Sequence, residues 1–375
     1  MKKTQIYFAT NRKHEGRDRW NPDGYGKKFS SDGHENLRFG EVTVEYYENT
    51  VNEFLKEKFK GNRVGDGEGM TAKLSKMVKK GSTINAYKDL STEGPVDFEN
   101  NSSTRFFRDI KNHMMDNNDV VLFMHGYAVD WEDAVASALS LEFVLNSKRK
   151  NGDKEVKVIL FSWPSNGSNM PFAAYKSDRS DARDSAKSVW RGILKLRDFL
   201  STLKRHSENS EERVCDSKIH LLCHSMGNYV LENALASKVL GYSGGTLPRI
   251  FDQIFLCAPD VRDDAMEKSS FNRLHEMGNR VSIYYNDGDV AMHFSEYTKY
   301  FGDRLGHTGN ARPAMVHNKV HQIDCSAIVK GFTEHSYYQW ATVNEDIMQS
   351  IQGISLDDTT RKRKRRAQSR EWEMF

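Results

Sequence analysis

Cysteine is scarce: there are four in 375 residues, Cys215, Cys223, Cys257 and Cys325, and no two share the Cys-x-x-Cys spacing. That speaks against a disulfide framework. Three of the four sit in apolar, strand-like runs, "IHLLCH", "IFLCAPD" and "HQIDCSA", the pattern of buried free thiols in a reducing compartment. Long hydrophobic runs are missing too. No stretch reaches the roughly 20 apolar residues a membrane-spanning helix needs, and the apolar part of "MKKTQIYFATNRKHEGR" is too short for a signal peptide. A cytoplasmic chain is expected. A large excess of either charge is also absent. Lys and Arg number 55 against 52 Asp and Glu, a net +3, too little to argue for nucleic acid. Six of the positive charges are consecutive, "RKRKRR" at Arg361–Arg366, and the remainder of the chain is slightly acidic. His293, His307, His317 and His321 show no recognised metal spacing. No metal and no cofactor is assigned.

What is present is an alternation. From about residue 119 short apolar runs, "VVLFMHG", "VKVILFSW", "IHLLCH", "QIFLCAP", "VSIYY" and "KVHQIDC", alternate with longer helical patterns. Runs rich in Val, Ile, Leu and Phe suit strands buried on both faces. In "SDARDSAKSVWRGILKLRDFLSTL", Ala186, Val189, Ile193, Leu196 and Leu200 recur at helical spacing and give one apolar face. Strands alternating with such helices predict an α/β chain with a largely parallel sheet and helices on both of its faces. Residues 1–118 are less regular. "TQIYFATNR" and "GEVTVEYYE" read as antiparallel edge strands around long polar insertions. The expected organisation is one domain over 1–353, with its catalytic βα core in 119–353, followed by a basic, disordered tail over 354–375.

One strand ends on chemistry. "LLCHSMGN" stops its apolar run at His-Ser-x-Gly, and "MGNYVLENALASKVL" begins a helix directly afterwards. A serine on such a strand–turn–helix bend can be an exposed nucleophile, with small residues wanted two places before and after it. Gly227 fills the second place, and Cys223 stands where glycine is usual. Serine needs a base oriented by an acid, here in the chain order Ser, Asp or Glu, His. Of the six histidines after Ser225, His335 in "GFTEHSYYQW" lies after a strand and before a terminal helical pattern, so it is the candidate base. Asp289 in "NDGDVAM" and Asp260 in "PDVRDD" both follow strands; Asp289 leads, Asp260 is the alternative, and Asp287 is a third neighbour. An oxyanion needs two backbone donors. The residue after the nucleophile, Met226, offers one, and Tyr127 in "FMHGYAVDWEDA" offers the other where Gly126 permits a sharp turn.

Together these stretches resemble the α/β-hydrolase superfamily, and more narrowly its poorly characterised bacterial esterase/lipase-superfamily hydrolases, of the domain-of-unknown-function type. The resemblance runs through "YFATNR", "HGYAVDWEDA", "LFSWPSNG", "YKSDRSDARDS", "IHLLCHSMGNYVLENAL", "CAPDV", "YYNDGDVAMHFS", "RLG" and "EHSYY", over roughly residues 4–340. It implies the α/β-hydrolase fold, with Ser225 as nucleophile, Asp289 as acid, His335 as base, and Tyr127 and Met226 as oxyanion donors. The implied activity is hydrolysis of a small-molecule acyl substrate, first among them a carboxylic ester, through an acyl-enzyme; thioesterase, lipase and amidase chemistry would use the same machinery.

Beyond the triad, Trp163, Ser165 and Tyr175 follow strand ends and are candidate pocket residues, and Asp178 reads as a helix-entry cap. A second reading, a non-enzymatic binding or assembly protein on this scaffold, rests on the long polar insertions and on the basic tail, which could contact a polyanion or a protein partner.

Overall fold

A computed structural model describes residues 1–56, 58–59, 63–64, 66–88, 102–116, 118–150, 152–165, 171–209, 216–239, 247–292, 302–330, 334–366 and 369–375, with side chains left aside at 58–59, 63–64, 171–174, 203–209 and 237–239. Cys215 and His293 fall outside these residues. The first strands are β1 (Lys2–Thr10), β2 (Arg12–Glu15), β3 (Gly24–Phe29), β4 (Arg38–Tyr46), β5 (Lys58–Phe59), β6 (Arg63–Val64) and β7 (Ser82–Ala86). The apolar runs then form β8 (Asp119–Met124), β9 (Val156–Ser162), β10 (Ile219–His224), β11 (Phe251–Cys257), β12 (Gly278–Tyr285) and β13 (Val320–Asp324). Two short strands follow, β14 (Arg363–Arg365) and β15 (Glu371–Met374).

Eleven of these strands make one sheet in the order β14-β15-β13-β12-β11-β10-β8-β9-β1-β4-β7, while β2–β3 and β5–β6 are separate pairs. Pairing is parallel from β1 through β9, β8, β10, β11, β12 and β13 to β15. It is antiparallel at the two margins, β1–β4–β7 and β14–β15. Successive residues of a strand face opposite sides, so Leu221 enters one apolar cluster and Leu222 the other. On the Leu221 side the sheet is covered by α3 (Ser102–Met115), α5 (Pro171–Asn209) and α6 (Met226–Val239). On the other side lie α2 (Gly67–Gly81), α4 (Trp131–Asn146) and the helix Ala341–Ile351. The expected helical face of α5 is real: Ala186, Val189, Ile193 and Leu196 are buried against the sheet.

Three expectations need correction. The N-terminal strands read as edges are interior: β1 pairs in parallel with β9 and antiparallel with β4, and β4 pairs in turn with β7, which holds the margin. The α5 helix begins at Pro171, so Tyr175 and Asp178 lie inside it rather than in a loop before it. The described part of 354–375 is ordered. β15 pairs with β13, and Trp372 and Met374 are buried. The basic run failed as a signal of disorder because each of its six side chains meets a carboxylate: Arg361 and Arg363 meet Asp346, Lys362 meets Glu345, Lys364 meets Glu373, Arg365 meets Asp357 and Arg366 meets Asp324.

Candidate active site

Five parallel strands, β8 to β12, bring their carboxyl ends to one edge of the sheet, the place where open α/β sheets collect ligands. Ser225 sits there, between the last residue of β10 and the first of α6, with φ +52°. A non-glycine residue in that left-handed region is strained, and three backbone hydrogen bonds hold it. The Ser225 N–H donates to the Cys257 carbonyl at 2.9 Å, and its own carbonyl accepts from Asn228 N at 3.0 Å and Asp260 N at 3.2 Å. Both nearby glycines are dictated by crowding. A Cβ on Gly227 would lie 2.7 Å from the His125 carbonyl oxygen, and one on Gly126 would lie 2.8 Å from Ser225 Cβ. Cys223 is accommodated because its side chain turns into the core, fully buried, and does not face the bend.

His335 and Asp289 arrive from two other connections. His335 Nδ1 lies 2.7 Å from Asp289 Oδ2. The other carboxylate oxygen of Asp289 accepts from the backbone N–H groups of Ala291 (3.0 Å) and Met292 (3.2 Å), and the side chain is buried. Burial alone would depress the His335 pKa, but the Asp289 charge and hydrogen bond outweigh it and the net shift is upward. The His335 ring is tied to the strand that ends in Ser225 as well. The His335 ring centroid lies 4.7 Å from that of His224, the residue preceding Ser225, and His224 Nε2 donates to the His335 carbonyl at 3.2 Å.

The other carboxylates are placed differently. Asp260 is buried and accepts the Tyr175 hydroxyl at 2.6 Å, with Arg304 Nε 3.6 Å from its other oxygen. Asp287 is exposed, and its carbonyl accepts from His307 Nε2 at 2.8 Å. Of the candidate pocket residues, Tyr175 packs edge-on against Tyr127, with centroids 5.5 Å apart. Trp163 and Ser165 do not line an opening; both are fully buried behind the loop that carries Tyr127. Trp163 Nε1 donates to the His125 carbonyl at 3.0 Å, and Ser165 Oγ accepts from Val129 N at 3.1 Å. Asp178, read from sequence as a cap, accepts from Ala128 N at 3.1 Å and from Ser165 Oγ at 2.6 Å. Arg12 and His125 also reach this loop, and neither was singled out from sequence; Arg12 ends the "YFATNR" stretch and is the first residue of β2. Among the described residues no group of three or more His, Cys, Asp or Glu side chains could hold a metal ion, and no helix is long and apolar enough to cross a membrane.

No curated protein matches the chain. Among solved structures it is similar to lipase B of Aspergillus fumigatus, at 13% identity and a TM-score of 0.36, covering 65% of this chain and 54% of the lipase. It is also similar to a hyperthermophilic esterase from the archaeon Pyrobaculum calidifontis, at 13% identity and a TM-score of 0.30, covering 63% of this chain and 76% of the esterase. The chain thus spans about half the length of the fungal lipase. A family model described as alpha/beta hydrolase of unknown function (DUF900) matches residues 99–345, a span running from before β8 into the helix that follows His335. The chain belongs to that family of α/β hydrolases.

Proposed function

We propose that the protein is a serine hydrolase that cleaves a carboxylic ester through an acyl-enzyme. Asp289 accepts the Nδ1–H of His335, which leaves the Nε2 lone pair as the general base. His335 takes the Ser225 proton as Oγ attacks the substrate carbonyl. The negative charge that develops on the carbonyl oxygen is met by the backbone N–H groups of Tyr127 and Met226, the second of these at the positive end of α6. Collapse of the tetrahedral intermediate expels the alcohol, which takes its proton from His335. Water, deprotonated by the same ring, then attacks the acyl-enzyme and releases the acid.

The observation that carries this reading is the 2.7 Å Asp289–His335 hydrogen bond, joined through His224 to the strand that ends in Ser225. Cys223, Cys257 and Cys325 are buried and free, which supports a reducing, cytoplasmic setting. The scaffold alternative drew on the basic tail as a polyanion-binding element. Arg361 and Arg363 are buried against Asp346, which takes those two charges out of a partner's reach and weakens that support.

The test is covalent. A fluorophosphonate probe is expected to label the native protein once, and Ser225→Ala is expected to abolish both labelling and hydrolysis of short activated esters. Folded native protein that neither takes up the probe nor turns over any ester in a panel of acyl lengths would return the scaffold reading.

A further inference from the structure

The long N-terminal excursion begins with an arginine that the triad does not use. Arg12 is fully buried, an expensive place for a charge unless every donor is met. Its Nε donates to Ser162 Oγ at 2.8 Å, and Nη1 donates to the carbonyls of Gly26 at 3.2 Å and Ser165 at 3.3 Å. Nη2 does something more specific. It donates to the Val129 carbonyl at 2.8 Å and lies 3.4 Å from His125 Nε2. Those two partners are the ends of the arc 125–129, and Tyr127 is its middle residue.

The chemistry of His125 gives this bridge a direction. His125 Nδ1 lies 2.9 Å from the Gly126 carbonyl oxygen, which can only accept, so Nδ1 carries the proton. Nε2 is then the acceptor, and it receives the backbone N–H of Trp163 at 3.3 Å as well as Arg12. Burial and the Arg12 charge pull the imidazole pKa down to about 3, so the ring stays neutral at working pH. A trans peptide points its carbonyl and its N–H in opposite directions. Tying the Gly126 carbonyl to the His125 ring therefore turns the Tyr127 N–H the other way. Gly126 itself is pressed against Ser225. On its far side the arc is held by Asp178 through Ala128 N, at a residue with φ +56°.

We propose that Arg12 is a positioning residue for the oxyanion donor: its Nη2 spans the 125–129 arc and fixes the His125 tautomer that orients the Gly126–Tyr127 peptide. The inference rests on the serine-hydrolase reading and adds a role for the N-terminal segment. A lysine replaces it only in part, because a single ammonium cannot serve the arc and also hold Ser162 Oγ and the Gly26 and Ser165 carbonyls, as Nε and Nη1 do.

The experiment compares native protein, Arg12→Met and Arg12→Lys on a short activated ester, with a trifluoromethyl ketone as a reversible tetrahedral adduct of Ser225. Folding is checked by near-UV circular dichroism. For Arg12→Met, kcat is expected to fall about 10- to 100-fold, with KM within about twofold of native, as for loss of an interaction made only in the transition state. Ketone affinity should weaken in parallel with kcat, and Arg12→Lys should fall between the two. A purely structural role would lower the amount of folded protein and leave the folded fraction's kcat and ketone affinity intact, which overturns the proposal. So does a rise in KM alone. If Arg12→Met does not fold, Arg12→Lys decides by the same two readouts. Native protein without esterase activity would sink the hydrolase reading and this one with it, whereas a folded Arg12→Met with native kcat and native ketone affinity sinks only this one.

Discussion

Tyr175 donates its hydroxyl to Asp260 at 2.6 Å, while Asp289 gives an oxygen to His335 at 2.7 Å. Two buried carboxylates at neighbouring strand ends thus have separate partners. Asp289→Asn is expected to cut kcat by three to four orders of magnitude while the protein stays folded, because the amide favours the wrong imidazole tautomer, an effect of about 10⁴ in a comparable triad. Asp260→Asn keeps an acceptor for Tyr175 and is expected to lose about tenfold or less. Steady-state kinetics on both variants checks the ranking, and the reverse order would transfer the acid's role to Asp260.

The same pair sets a pH dependence. His335 must be neutral to act as a base, and its pKa is raised above the ordinary histidine value of 6.5 because Asp289 outweighs burial. The acid limb of kcat/KM is therefore expected above pH 6.5, with activity growing as pH rises through it. In Asp289→Asn the carboxylate charge is gone and burial is less opposed, so the residual activity should titrate at lower pH than in the native protein. A kcat/KM–pH profile of each protein measures this, and coincident limbs would break the link between Asp289 and the base.

A third expectation concerns the carboxyl-terminal strands. Asp346 receives Arg361 Nη1 and Arg363 Nη1 at 2.8 Å each and the Tyr284 hydroxyl at 2.7 Å, all of them buried. Replacing it by asparagine leaves two buried guanidinium groups without their counter-charge, a loss of about 3–5 kcal/mol. Trp372→Ala is expected to cost a similar 3–5 kcal/mol through the cavity it opens. Deletion after Gly353 removes both contributions and should lower the melting temperature by well over several degrees. A truncated protein that melts with the native one would make these strands dispensable.

These sites show which parts of the molecule the sequence made legible. The parallel strands were readable because burial on both faces leaves uninterrupted Val, Ile, Leu and Phe, as in "VKVILFSW". Ser225 was readable because the bend's constraints are local: small residues, a strand before and a helix after. Asp289 and Asp260 were not separable by pattern, since each follows a strand and the distinguishing contact, Tyr175 to Asp260, spans 85 residues. The tail misled for the same reason. A run of like charge reads as solvated until its partners are known, and no fixed spacing links it to Asp324, Glu345, Asp346, Asp357 and Glu373. The alternation in "EWEM" was the local signal, with Trp372 and Met374 on the buried side of β15. The role of Arg12 carried no local signal, because its partners come from three separate segments, at Gly26, at 125–129 and at Ser162 and Ser165.

Among the described residues three other than glycine take positive φ, Ala128, Ser225 and Ala258, and they follow the ends of β8, β10 and β11. Glycine would relieve the backbone at each position, by about 1 kcal/mol or more. Ser225→Gly would then be a sturdier protein without the hydroxyl proposed as its nucleophile. Selection for thermal robustness alone would erode this edge of the sheet first, so a screen for heat-resistant variants needs a concurrent activity readout. Gains at these three positions should be set against lost turnover before being kept.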